Sequence, residues 1–200
     1  MRLYIVIPAI FLIFSISGTV GDELDPVVNK ITNLLSPFLT KAQLKTVLNK
    51  VFDLAWSGQT PEQIKSQILS IGMSTVNAQQ KAKVMQVYQG ISNELGGSAK
   101  AEALLNVLMN KLTAVLNPYI NQMQTTIKNK KSAGKAAAKT AILKQGANFL
   151  TSANIQKAVN QVKAAFTQKQ CDVAFKYLAP TYLKLGLYKF KSSKCTGTGN

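Results

Sequence analysis

The chain has no histidine, one arginine (Arg2), and only eight acidic residues against 24 basic ones, for a formal net charge of +16. Each shortage closes off a chemistry. Without histidine, the usual general base near neutral pH and the commonest zinc ligand are gone. With so few carboxylates, a paired acid–base site or an oxygen-lined calcium site is hard to assemble. With no arginine after Arg2, the planar bidentate group that reads guanine is missing, so sequence-specific nucleic-acid binding is disfavoured. No Gly-x-Gly-x-x-Gly, P-loop, Gly-x-Ser-x-Gly or zinc pattern occurs, and no Asn-x-Ser/Thr sequon. The expectation is a protein that binds rather than catalyses, without cofactor or metal.

What remains is apolar and basic. Of the 200 residues 46% are hydrophobic, enough to bury a core and too many for a disordered chain. Met1-Arg2 followed by the apolar run Leu3 to Ile16 and small residues at Ser15, Ser17, Gly18 and Gly21 reads as a secretory signal over residues 1–21, cut after Ser17 or Gly21. The run is about 14 residues where a membrane span wants roughly 20. A secreted, extracellular protein is therefore expected, with one helical domain over 22–195 and a disordered tail over 196–200. After the signal every basic residue is a lysine, and between Glu102 and Asp172 ten lysines occur without a single acid. Such a field attracts anionic membranes and polyanions, although scattered lysines also simply solvate helix faces. Cys171 and Cys195 in an exported chain suggest one disulfide, which would stabilise by about 3 kcal/mol by restricting the unfolded chain.

Periodicity predicts an all-α chain, a compact bundle of about seven to nine short amphipathic helices. Val27, Val28, Ile31, Leu34, Leu35 and Phe38 form a first stripe. Thr40 caps the next helix, whose buried face is Leu44, Val47, Leu48, Val51, Leu54 and Ala55, with Gly58 just past its end. Thr60-Pro61-Glu62-Gln63 is a cap, an N1 proline and a capping-box glutamine. That helix carries Ile64, Ile68 and Leu69 and is expected to stop at Gly72, with Ser74 or Thr75 starting another that bears Val84, Val87, Tyr88, Ile91 and Leu95. Gly96-Gly97 ends it, Ser98 is expected to cap a helix with Leu104, Leu105, Leu108, Leu112, Val115 and Leu116, and Asn117-Pro118 to start the next. Lys128-Asn129-Lys130-Lys131 through Gly134 reads as an exposed loop tip. Further helices are expected over Ala136 to Leu150, from Ser152 or Asn154 through Phe166, and over Val173 to Leu178, ending before Pro180; residues 181–191 are ambiguous.

Residues 28–39 and 109–120 echo one another, five of twelve pairs being identical. This marks either two duplicated halves joined near Gly96-Gly97 or two similar helix–proline–helix corners in one domain. The lone Trp56, at a helix end, reads as a core or rim residue. Near the C-terminus Phe166, Phe175, Tyr177, Tyr182, Tyr188 and Phe190 interleave with Lys163, Lys169, Lys176, Lys184, Lys189 and Lys191. That mixture suits a membrane interface, or equally a terminal helix docked by its rings.

Leu39-Thr40-x-x-x-Leu44-x-x-x-Leu48, Gln59-Thr60-Pro61-Glu62 and the Ala78 to Ile91 helix with Ala82, Val84 and Tyr88 resemble the secreted nematode fatty-acid- and retinol-binding proteins. The resemblance covers about residues 34–95, and more loosely Leu116 to Phe166. It implies helices wrapped round an apolar cavity for fatty acids or retinoids, with a basic face toward membranes. The near absence of acids, the Gly96 to Asn117 stretch and the Cys171–Cys195 tail depart from that family. The chain also resembles the secreted nematode SXP/RAL-2-type antigens through its Leu-Thr-capped helices. On helical facing, Leu44, Leu48, Phe52, Ile64, Ile68, Val84, Tyr88, Leu105 and Leu108 are the candidate ligand-contacting residues, with one lysine pairing a carboxylate head. The rival from another class is a cationic membrane-active or polyanion-binding effector without a cavity.

Overall fold

The computed structural model describes residues 39–149, 151–184 and 194–199, without the side chains of Lys65, Ile68, Leu69, Ser152, Ile155 and residues 178–184. The signal over 1–21, the stripe from Val27 to Phe38, all but the last residue of the first copy of the echo, and residues 185–191 lie outside the described residues. The described chain is all-α, with seven helices and no strand: α1 (Lys41–Trp56), α2 (Pro61–Thr75), α3 (Ala78–Leu95), α4 (Ser98–Asn129), α5 (Lys135–Phe149), α6 (Ser152–Ala165) and α7 (Gln168–Lys184).

Most helices start where a hydroxyl or amide side chain can satisfy the orphan amides of a first turn. Thr40 with Gln43, Thr60 with Gln63 and Asn77 with Gln80 form reciprocal capping boxes. Thr167 and Gln170 bond in the same two directions ahead of α7. Glutamine holds the third position in all four, so these caps carry no charge. Two of them are joined: the Gln43 and Gln80 amides donate to each other at 2.8 and 2.7 Å, and Gln43 Nε2 also donates to the Thr75 carbonyl at 2.9 Å. The starts of α1 and α3 and the end of α2 are thereby tied together.

The bundle is organised round α4, which packs against α1, α3, α5 and α6, while α2 lies on α1 and α7 on α3. Its 32 residues run about 48 Å at 1.5 Å per residue. Leu104, Leu105, Leu108, Leu112, Val115, Leu116, Tyr119, Met123 and Ile127 keep one buried stripe along that length. The resulting core is continuous from Leu39 to Cys195 and passes Gly96-Gly97 without a break, since Leu95 and Ala101 both belong to it.

Several boundaries differ from the sequence reading. Asn117-Pro118 does not start a new helix, because α4 runs straight through it. Proline removes one amide donor and costs about 3 kcal/mol inside a helix. Here Pro118 sits on the exposed side, and the next residue, Tyr119, is held from α5: its hydroxyl donates to the Ile142 carbonyl at 2.9 Å and its ring lies 5.4 Å from that of Phe149. The second copy of the echo is thus mid-helix and not a corner. Gly72 is likewise interior to α2, which ends at Thr75, and Asn77 rather than Ser74 or Thr75 caps α3. Gly97, not Ser98, occupies the cap position of α4, with no side-chain bond. Thr151 caps α6 ahead of both expected residues. Helix α7 begins at Gln168 and continues past Pro180.

The expected disulfide is present, joining Cys171 to Cys195 across a Cα–Cα distance of 6.5 Å. The segment after it is no loose tail. The amides of Thr196, Gly197 and Gly199 donate to the carbonyls of Lys163, Phe166 and Ala165 at 3.0 to 3.1 Å. Those carbonyls lie at the end of α6, where no intrahelical donor remains. The approach requires glycine: a Cβ at Gly197 would stand 2.1 Å from the Ala165 carbonyl carbon.

Candidate functional site

Three regions carry residues that the sequence singled out. In the first, Leu44, Leu48 and Phe52 of α1, Ile64 of α2, Val84 of α3, and Leu105 and Leu108 of α4 are all buried in the one core. Leu44 and Leu48 are each 1% exposed. Tyr88 packs on this core half-buried, and its hydroxyl is pushed up in pKa by burial, then by the charge and hydrogen bond of Glu102. Ile68 lies on α2 with its side chain outside the described residues. The helices therefore bring the set other than Ile68 together, as a shared and largely apolar interior. Its buried polar groups include Thr126, hydrogen-bonded with Gln145, and the hydroxyls of Tyr119 and Thr113. The interior offers area for burial and no charge.

One lysine stands over a member of that set. Lys139 Nζ lies 5.5 Å from the centroid of the Phe52 ring and donates to Asn49 Oδ1 at 3.0 Å. Burial lowers its pKa, the Asp53 charge opposes that shift, and Lys135 adds to it.

Lys139 is the inner member of a second region, the seam between α1 and the segment entering α5. Lys131, Lys135 and Lys139 follow at four-residue steps and meet Trp56, Asp53 and Asn49 in turn. Lys131 Nζ donates to the Trp56 carbonyl at 2.6 Å and lies 4.2 Å from the centroid of the indole. It thus meets both the negative end of the α1 dipole and the negative face of a ring. Lys135 pairs with Asp53 at 2.7 Å, both side chains about half exposed (48% and 54%). Phe52 and Trp56 stack with centroids 6.2 Å apart, so the indole is the step between a buried ring and an exposed ammonium. Lys128 and Lys130 are exposed beside this seam, at the end of α4 and in the following turn. The sequence marked the 128–134 turn as an exposed tip and Trp56 as a rim residue, but did not join them. Seventy-five residues separate Lys131 from Trp56, and no local signal spans that.

The third region is the aromatic and lysine mixture near the C-terminus. Phe166 is fully buried, and Phe175 and Tyr177 pack on the core. Lys176 is ion-paired with Glu94, and Tyr177 donates to the same carboxylate at 3.2 Å. The Lys176 hydrogen bond holds the Glu94 carboxyl below the usual range, and Glu94 in turn raises Lys176. The described rings dock α7 onto the bundle. Tyr182, Tyr188, Phe190, Lys184, Lys189 and Lys191 lie outside the described side chains.

Among the described residues, no three His, Cys, Asp or Glu side chains gather as a metal site, and no helix is long and apolar enough to cross a membrane. No curated protein and no solved structure matches the chain. The family match does not connect it to the fatty-acid- and retinol-binding proteins or the SXP/RAL-2-type antigens that its helix pattern resembles. The model of the family described as uncharacterized protein B0228.1-like matches residues 5–173, and the chain belongs to that family.

Proposed function

We propose that this chain is a secreted lipid-interacting protein whose lysine surface binds anionic membranes. The observation that carries the reading is the charge imbalance on a helical body: eight acids cannot neutralise 23 lysines one for one. The described helices and turns hold Lys50, Lys83, Lys100, Lys128, Lys130, Lys144, Lys157 and Lys169 exposed. A lysine near an anionic leaflet contributes about 1 kcal/mol, so several acting together give useful affinity without a shaped pocket. Sedimentation of purified protein with phosphatidylcholine vesicles, with and without phosphatidylserine, tests it. Binding should need the anionic lipid and weaken steeply between 50 and 300 mM salt, conditions chosen around the change in Debye length from about 14 to 6 Å. Failure to sediment with anionic vesicles at low salt removes the reading.

A second reading is favoured by one observation, the Lys139 ammonium over Phe52 at the margin of a largely apolar set. In it a fatty acid or retinoid enters between α1, α2, α3 and α4, the candidate contacts being Leu44, Leu48, Phe52, Ile64, Ile68, Val84, Tyr88, Leu105 and Leu108. Area burial at roughly 25 cal/mol per Å² drives entry, and Lys139 pairs with a carboxylate. A fluorescent fatty acid should then bind saturably, be displaced by oleate or retinol, and be insensitive to salt. No enhancement at micromolar protein rejects the carrier and leaves the surface.

A further inference from the structure

We propose that the membrane contact is a single corner of the molecule, where the end of α1 meets the α4–α5 turn, and that its occupant is an anionic phospholipid bilayer. This rests on the reading that the lysine surface binds anionic membranes and adds where it does so. Lys128, Lys130, Lys131 and Lys135 converge there within eight residues of chain, against the single acid Asp53 that Lys135 engages. Lysine surplus alone would fit any polyanion. The corner differs from the rest of the described lysine surface in also presenting the partly buried indole of Trp56, backed by Phe52 and the core. Indole has an apolar body and one N–H, and it partitions to the headgroup level of bilayers. Lysines reaching lipid phosphates around a seated indole form the usual two-part interfacial contact, charge for attraction and a ring for insertion depth. Lys131, held between the Trp56 carbonyl and ring, keeps the charge and the ring in register.

The chain has one tryptophan, so tryptophan emission, excited beyond the absorption of its six tyrosines, reports this corner. Purified protein is titrated with vesicles of phosphatidylcholine and phosphatidylserine, and then with the same vesicles carrying brominated acyl chains. A blue shift of Trp56 emission and quenching by the brominated lipid are expected. Lys128→Gln with Lys130→Gln should weaken vesicle affinity about twenty-five-fold, taking about fivefold per lysine. Lys100→Gln with Lys169→Gln removes the same charge at the other end of α4. Lys100 is about 42 Å from Lys128 along the helix at 1.5 Å per residue, and Lys169 acts on Glu94 near the start of α4. That control pair should weaken binding only about twofold to threefold. Sedimentation with vesicles but no change in Trp56 emission, or equal losses from both lysine pairs, overturns the corner and leaves the general membrane reading standing. Absence of sedimentation overturns both. Heparin producing the same blue shift with the same lysine dependence overturns the bilayer as occupant.

Discussion

Two seams of this molecule are built from the same residue types and end up with opposite characters. At the α3–α7 seam Lys176 and Tyr177 meet Glu94, and Tyr177 lies directly over Gly90, where an added Cβ would be 2.1 Å from its ring. At the α1–α5 seam Lys131 and Lys135 meet the Trp56 carbonyl and ring and Asp53, with Lys128 and Lys130 exposed beside them. One seam spends its lysine and its ring on holding two helices together. The other has more lysines than acids and a partly buried ring with an ammonium over it. Aromatic and lysine content therefore does not identify a binding surface. The balance of partners round each side chain does, and only the packed molecule sets that balance.

The comparison is broken most forcefully at Gly90. Gly90→Ala should force Tyr177 off α3 and cost about 2 kcal/mol, the range for overpacking a tight contact. Denaturant unfolding followed by circular dichroism measures it, and a Gly90→Ala, Tyr177→Ala pair should lose less than the sum of the two single changes. An unchanged unfolding midpoint for Gly90→Ala would mean that the seam is not closed as described.

A smaller effect is expected at the other seam. Lys131→Gln removes a cation over an indole and a charge at a helix C-terminus, together about 1 kcal/mol at a surface site. The same unfolding experiment reads the stability, and a changed Trp56 emission in the folded protein reads the local loss of the ammonium. Stability falling by as much as for Gly90→Ala would make this seam as structural as the first and erase the contrast.

The smallest effect is the response to acid. Glu94 has its folded-state pKa depressed, chiefly by the Lys176 hydrogen bond. Its contribution is present above the unfolded glutamate value of about 4.3 and is lost as pH falls below that through the depressed folded value. Both side chains are exposed, so the loss should be slight. The glutamine-based caps do not titrate and give no further acid response. A shallow decline in thermal midpoint below pH 4.3, flattened by Lys176→Gln, is the expected profile. An equally steep decline in that variant would place the acid-sensitive contact elsewhere.

The starts of α1 and α2 were legible, because a cap is decided within four residues, whereas those of α3, α4, α6 and α7 were misplaced by one to five residues. The Thr40 cap and the Thr60 to Gln63 box could be read directly, and so could the Gly96 stop, where φ is +83°. Helix continuations were misread wherever a local breaker was overruled from a distance. Pro118 reads as a boundary until Tyr119 is seen bonded to Ile142. The final glycines read as a free tail until their amides are seen on α6. The candidate apolar set was recoverable from periodicity, since burial follows facing. Its surroundings were not, because periodicity names a face and not what lies opposite.

By itself the sequence determined the chemistry available: an all-helical chain with a wide apolar stripe, uncharged caps, a pair of cysteines, and a lysine excess that no internal acid can balance. Those properties are local or additive, and they survive without knowledge of contacts. The tertiary structure alone decided which lysines are used up and which remain available. It placed Lys176 on Glu94, Lys135 on Asp53 and Lys131 on the only tryptophan. Juxtaposition of residues 75 apart comes from how α4 returns the chain to α1, and no short window of sequence encodes it.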